Sequence, residues 1–268
     1  MSILHTIILA IVEGLTEFLP ISSTGHMALV SAFMGIEKSD FTTLFIENIQ
    51  FGTILSVIVL YWRKFFDFSK LQLYVKLIIA FIPAAIFGIL LKKHIDQLIG
   101  TPIFIACTMF FGGIVLVFVD KWFKNPTIES EEKVSNKNAL FIGFFQVLAV
   151  VLPGISRSAA TIIGGMQQKL TRKAAAEFSF FLAVPTLAGA FAKSLWDAYK
   201  DTPEILTKHN ISILALGNVI GFLVAIVAIK GFIAFLTRNG FKFFGYYRII
   251  IGLIIIVTIL VRGNIFMF

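Results

Sequence analysis

Apolar residues in this chain recur in runs long enough to cross a hydrocarbon layer, which takes roughly 20 residues of helix. Six such runs lie at about 41–62, 74–91, 99–119, 174–192, 210–236 and 246–261. Two further apolar regions, about 2–35 and 139–166, are interrupted near their middles by Pro, Gly and hydroxyl residues. The first break reads Pro20-Ile21-Ser22-Ser23-Thr24-Gly25 and the second Pro153-Gly154-Ile155-Ser156-Arg157-Ser158. Backbone released from helical hydrogen bonds cannot face lipid; it must be buried in protein or line a polar cavity. Both regions are therefore expected to be re-entrant helix-turn-helix elements, the alternative being kinked spanning helices.

The two breaks lie 133 residues apart in a chain whose half-length is 134. That spacing implies a duplication in which each half supplies one re-entrant element and three spans. Three is odd, so the second half would be inverted, an arrangement common in transporters. The expected fold is a single all-α polytopic membrane domain over 1–268. It has a first repeat at 1–119, a polar connection at 120–138 and an inverted second repeat at 139–268.

Composition supports the membrane assignment. Apolar residues make up 58% of the chain and charged residues 14%, against about 45–50% and about 25% in soluble domains. Thirty-eight charged residues are too few to cover a soluble surface of 268 residues, and the mean hydropathy is +0.92. A disordered, fibrous or disulfide-scaffolded chain is excluded. The single cysteine, Cys107, rules out an internal disulfide and any multi-cysteine metal site. The N-terminus lacks a basic leader, and Glu13 stands where a small-residue cleavage site belongs, so this segment is expected to stay in the mature protein.

The net charge of +8 belongs with basic loops rather than nucleic acid. Loops 63–76, 120–138, 167–177 and 238–248 share one face in the re-entrant topology and hold 14 of the 23 Lys and Arg. The other face, with both termini, holds seven: Lys38, Lys92, Lys93, Lys193, Lys200, Lys208 and Arg262. By the positive-inside rule the richer face is cytoplasmic and both termini face outward. Loop 120–138 is expected to be a solvated connection.

Ionisable groups inside membrane segments are functional candidates by default, and here they gather at the breaks. Glu13 and Glu17 are four residues apart, on one face of a helix. His26 follows the first break. Arg157 lies in the second, with Ser156, Ser158 and Thr161 nearby and Gln146 upstream. Turns leading into helix N-termini offer free N–H groups and the positive end of a dipole to an anion. This places Ser22, Thr24, Gly25 and Gly154 among the expected substrate contacts. Arg157 adds a planar fork for phosphate oxygens. Two carboxylates in a poorly solvated site repel unless a proton or a cation joins them. Mg²⁺ or Ca²⁺ bound through Glu13, Glu17 and a substrate phosphate meets that need. His26, or Ser23 activated by it, would attack phosphorus or manage the proton.

Blander readings exist for each group. A carboxylate pair also suits a proton relay or the cation site of a transporter. Hydroxyls in membrane helices usually bond across helices or cap breaks, and His26 alone reads as a satisfied buried polar group. Arg157 is harder to dismiss, because an intramembrane Arg needs an anionic partner. Glu47, Gln50 and Glu177 are expected near the site, with a place at the membrane interface as the alternative for Glu177, and Lys230 is expected to extend toward the membrane surface.

The run Glu13-Gly14-Leu15-Thr16-Glu17-Phe18-Leu19-Pro20-Ile21-Ser22-Ser23-Thr24-Gly25-His26 resembles the first signature of the bacterial undecaprenyl-diphosphate phosphatases, the bacitracin-resistance family. Pro153-Gly154-Ile155-Ser156-Arg157-Ser158-Ala159-Ala160-Thr161 resembles the second, departing at Ala159, where the family usually has Gly. Ile49-Gln50-Phe51-Gly52 and Glu177-Phe178-Ser179-Phe180 are also similar to family segments; Glu47 receives no role, since the family's acidic residue sits one position earlier.

The resemblance implies removal of the terminal phosphate of undecaprenyl diphosphate, which recycles a carrier lipid and confers bacitracin resistance. It further implies a divalent cation and an outward-facing site in the bacterial plasma membrane. Glu13 and Glu17 would serve the metal or the acid–base step. Either Ser23 or His26 would be the nucleophile, with the other as its partner, and Arg157 would clamp the diphosphate with Ser156 and Thr161. The implied partners are the lipid substrate and membrane lipids, with a homodimer left open.

Two other classes compete. An acid-phosphatase-like lipid phosphatase should carry a second catalytic His after its Ser-Arg, and Ile162–Gln168 has none. A transporter or flippase fits the inverted architecture without regard to chemistry.

Overall fold

The structure, a computed structural model, describes residues 1–36, 39–67 and 71–262; Lys38 lies outside them. Thirteen α-helices are present among the described residues. The first apolar region forms α1 (Ile3–Thr16) and α2 (Ser23–Phe33), joined by a six-residue turn. The second forms α9 (Asn136–Val151) and α10 (Arg157–Gln167). A 14-residue α1 is about 21 Å long, short of the roughly 30 Å hydrocarbon thickness. Neither region contains one continuous spanning helix.

Six helical stretches are long and apolar enough to cross a membrane. The first combines α3 (Asp40–Asn48) and α4 (Gln50–Leu60), and after the short α5 (Trp62–Phe65) the second is α6 (Leu71–Leu90). The amphipathic α7 (Lys92–Ile99) precedes α8 (Pro102–Trp122). The remaining spans are α11 (Arg172–Asp201), α12 (Lys208–Asn239) and α13 (Lys242–Arg262). The chain is therefore an all-α polytopic membrane protein. α11 and α12 run several residues beyond their apolar stretches because charged and polar residues at their ends remain helical outside the hydrocarbon.

The packing crosses between halves. α1 lies on α12, α9 on α6, α4 on α11 and α8 on α13. The last pair approaches closely at Gly113, where a Cβ would stand 2.8 Å from Gly245 O. Such small-residue crossings let membrane helices pack without a hydrophobic drive between them. The core centres on an aromatic chain, with Phe18 edge-on to Phe180 at 5.2 Å and Phe180 against Phe232 at 5.9 Å. Phe18 thus anchors the turn that follows α1. Ile82, Ile86, Leu223 and Val227 point outward as the lipid-facing surface requires.

The 120–138 connection is not simply solvated. Glu131 and Val134 are each 1% exposed. The N–H groups of Thr127 and Ile128 donate to Lys169 O at 2.9 Å, and Lys64 pairs with Glu131. A buried carboxylate needs a partner, and Lys64 docks the connection beneath the bundle.

Candidate active site

The two breaks share one device. Ser22 and Ser156 each take a left-handed φ of 72°, rare for residues with a Cβ. Each then caps the helix that follows: Ser22 Oγ accepts from Gly25 N, and Ser156 Oγ accepts from Ala159 N, both at 3.3 Å. The strained turn aims the N-termini of α2 and α10 into a common cavity of about 160 Å³. Ser22, Ser23 and Thr24 line it from the first break; Pro153, Gly154, Ser156 and Arg157 line it from the second.

Glu13 and Glu17 end α1, where the negative pole of the helix disfavours carboxylates. Their place there is not a stabilising one. Glu17 is held from two sides. Arg157 Nη2 donates to its Oε1 at 2.9 Å, and Ser23 Oγ donates to its Oε2 at 2.6 Å. Arg157 Nη1 donates to Ser179 O at 3.0 Å, and Ser179 Oγ lies 2.6 Å from Thr161 Oγ1. Among the described residues, Arg157 Nε is buried without a hydrogen-bond partner, as are both carboxylate oxygens of Glu13. Of these two residues Arg157 lines the cavity, while Glu13 is 0% exposed and is not among its lining residues. Among the described residues no three His, Cys, Asp or Glu converge as a metal cage. Two carboxylates still fit an ion of the Mg²⁺ type, which keeps waters and binds through one or two carboxylates plus phosphate oxygens.

Apart from Gln50, the remaining predicted residues support the cavity rather than line it. Ser158 Oγ donates to Leu19 O at 2.8 Å, tying the second break to the first. Gly25 packs against Met109 Sδ. Gln146 is fully buried and bonds Thr186 at 3.2 Å. His26 has both ring nitrogens engaged: Nδ1 is 2.7 Å from Ser22 O, and Nε2 is 2.7 Å from Tyr247 Oη. A carbonyl can only accept, so Nδ1 carries the proton, and in the neutral ring Nε2 then accepts from Tyr247. Glu47 accepts from Ser194 Oγ at 2.5 Å in a neighbouring apolar groove of about 510 Å³. Gln50, Ile95 and Val150 line both spaces. Glu177 lies away from the cavity, near Tyr61 Oη at 3.5 Å.

Arg248, which the charge pattern groups with the loop cations, is 0% exposed and serves the breaks instead. Its Nη1 donates to Pro20 O at 3.2 Å and Ile155 O at 2.8 Å; its Nη2 donates to Gly154 O at 3.0 Å and Thr108 O at 3.3 Å; its Nε donates to Met109 O at 3.3 Å. A signal was present, since position 248 fell within both the basic loop and the last apolar run.

The fold and cavity define a polytopic membrane protein with a charged centre where two broken helices meet. Comparisons place it further. The family described as bacitracin resistance protein BacA matches residues 6–254. The chain is 53% identical to an undecaprenyl-diphosphatase of Flavobacterium johnsoniae, over 96% of each chain. It is 54% identical to one of Flavobacterium psychrophilum, over 96% of this chain and 95% of the other. It is 41% identical to one of Lacticaseibacillus casei, over 97% and 99%. The chain belongs to the bacitracin-resistance family.

Proposed function

We propose that this chain hydrolyses undecaprenyl diphosphate to undecaprenyl phosphate and inorganic phosphate, recycling the lipid carrier for peptidoglycan and conferring bacitracin resistance. The observation that carries the mechanism is the chain Arg157–Glu17–Ser23 at two opposed helix N-termini. Arg157 and the N-termini of α2 and α10 bind the diphosphate. Glu17 takes the proton of Ser23 Oγ, which attacks the terminal phosphorus as the bridging P–O bond breaks. That proton leaves with undecaprenyl phosphate. Water then attacks the phosphoserine with Glu17 again as base, the Ser23 Oγ–P bond breaks, and Ser23 recovers its proton. His26, held at both nitrogens, orients the first break instead of attacking. Glu13 and Glu17 would hold a divalent cation, which neutralises phosphate charge when bound.

The polyprenyl chain runs into the groove beside Phe81, Ala84 and Gly88, which adjoins the cavity. The two helix pairs are re-entrant elements of an inverted repeat; the reciprocal packing of α1 on α12 and α9 on α6 supports this. The site faces the outside of the inner membrane, because the groove opens beside Lys92 and Lys193 on the poorer charged face. Removing Arg248 from the loop tally leaves the richer face still richer.

The test is phosphate release from undecaprenyl diphosphate by purified protein, with Arg157→Ala as the control. Release by both variants alike, or by neither, overturns the reading.

A further inference from the structure

Among the described residues, Arg248 has no carboxylate partner. All five N–H donors of its guanidinium go to backbone carbonyls, which is its full complement. Three of those carbonyls, Pro20, Gly154 and Ile155, belong to the breaks, where the helical ladder is interrupted and membrane burial leaves no water to replace it. One nitrogen, Nη1, bonds a carbonyl from each break. The cation thus meets the carbonyl ends that follow α1 and α9, while the N–H ends that open α2 and α10 face the cavity.

We propose that Arg248 is a positioning residue for the phosphatase reaction: it fixes the separation of the two breaks, and through them the spacing of Ser23 from Arg157. The inference rests on the hydrolase reading above. A lysine in its place would keep the charge but offer three donors on a flexible stem, without the rigid fork that spans two breaks. Displacing catalytic groups by about 1 Å can lower rates roughly 10²-fold. Binding of the long lipid chain does not depend on that spacing.

The test compares wild type and Arg248→Lys in turnover, KM and melting temperature, on protein shown to be folded and monodisperse. Turnover should fall at least tenfold while KM changes less than threefold. A loss of stability alone would lower the folded fraction and leave turnover per folded molecule unchanged, which overturns the proposal. The variant Arg157→Lys/Arg248→Lys should be no more than threefold slower than the slower single variant, since both changes disturb one geometry. Multiplicative losses overturn it as well. If Arg248→Lys is not recovered folded, Gly112→Ala takes its place, because a methyl there pushes on Arg248 Nη2. Wild-type turnover by folded Gly112→Ala also counts against it. An inactive wild type would sink the hydrolase reading itself, so the two failures are distinguishable.

Discussion

Arg157 joins Glu17 and Ser179 and lines the cavity, and its buried Nε has no hydrogen-bond partner among the described residues. If it only balanced Glu17, Lys would serve as well. As a clamp on developing phosphate charge, its replacement by Lys should lower turnover roughly 10²-fold with melting unchanged, the scale of losing one preorganised donor. A near-normal Lys variant would move the phosphate contact to the backbone amides of the breaks. The attacking group has its own signature: phosphoserine survives acid and phosphohistidine does not. Trapped phosphoenzyme should therefore be acid-stable and absent from Ser23→Ala; acid-labile label would restore His26 as nucleophile. Glu13, buried with neither oxygen hydrogen-bonded among the described residues, predicts that chelator abolishes hydrolysis and that Mg²⁺ or Ca²⁺ restores it. Full activity in chelator would leave the carboxylates a proton to share. Ser23, Glu17 and Arg157 were legible in the sequence because charge and hydroxyls inside apolar runs are locally conspicuous. Tyr247 and Arg248 were not: their partners at the first break lie 221 and 228 residues away, and only the fold joins them.

The two breaks as elements combine strain with capping. At φ of 72° a Cβ is crowded, yet the serine hydroxyl satisfies an otherwise free N–H. Ala at position 156 would keep the strain and lose the cap, a loss of about 1 kcal/mol or more. Gly would lose the cap but relieve the strain. Ser156→Ala should therefore melt lower than Ser156→Gly, and the reverse order would show that the turn is not strained. The same physics explains what patterning along the chain foretold. Pro and Gly mark a break where hydroxyls cluster beside them, whereas Pro83 and Pro185 stay inside continuous helices, and all six spans followed from apolar length. The docking of the 120–138 connection did not follow, because its polar composition matches that of a solvated loop. Its burial depends on Lys64 meeting Glu131 from a distant helix.

Across the whole molecule, both faces carry ion pairs, Lys92 and Lys193 meeting Asp197 on one of them, and what distinguishes that face is the groove that adjoins the cavity. On the face with α5 and the start of α11, Lys64 pairs with Glu131, and Arg172 Nε pairs with Asp120 at 2.6 Å. Asp120 also accepts from Phe241 N at 2.8 Å. On the opposite face the groove opens past Lys92 and Lys193 toward the cavity. A lipid diphosphate left behind after polymer export would reach the site only if this second face is external. Charge bias points the same way, but a bias in loop Lys and Arg is statistical and accessibility is direct. In a Cys107→Ser background, Lys200→Cys on the face with the groove and Lys124→Cys on the opposite face place one exposed thiol on each side. A membrane-impermeant maleimide applied to intact spheroplasts should label position 200 and spare position 124, and lysis should expose both. Labelling of position 124 alone before lysis would invert the protein, direct its cavity to the cytoplasm, and remove the outward-facing part of the proposal while leaving the chemistry of Arg157, Glu17 and Ser23 untouched.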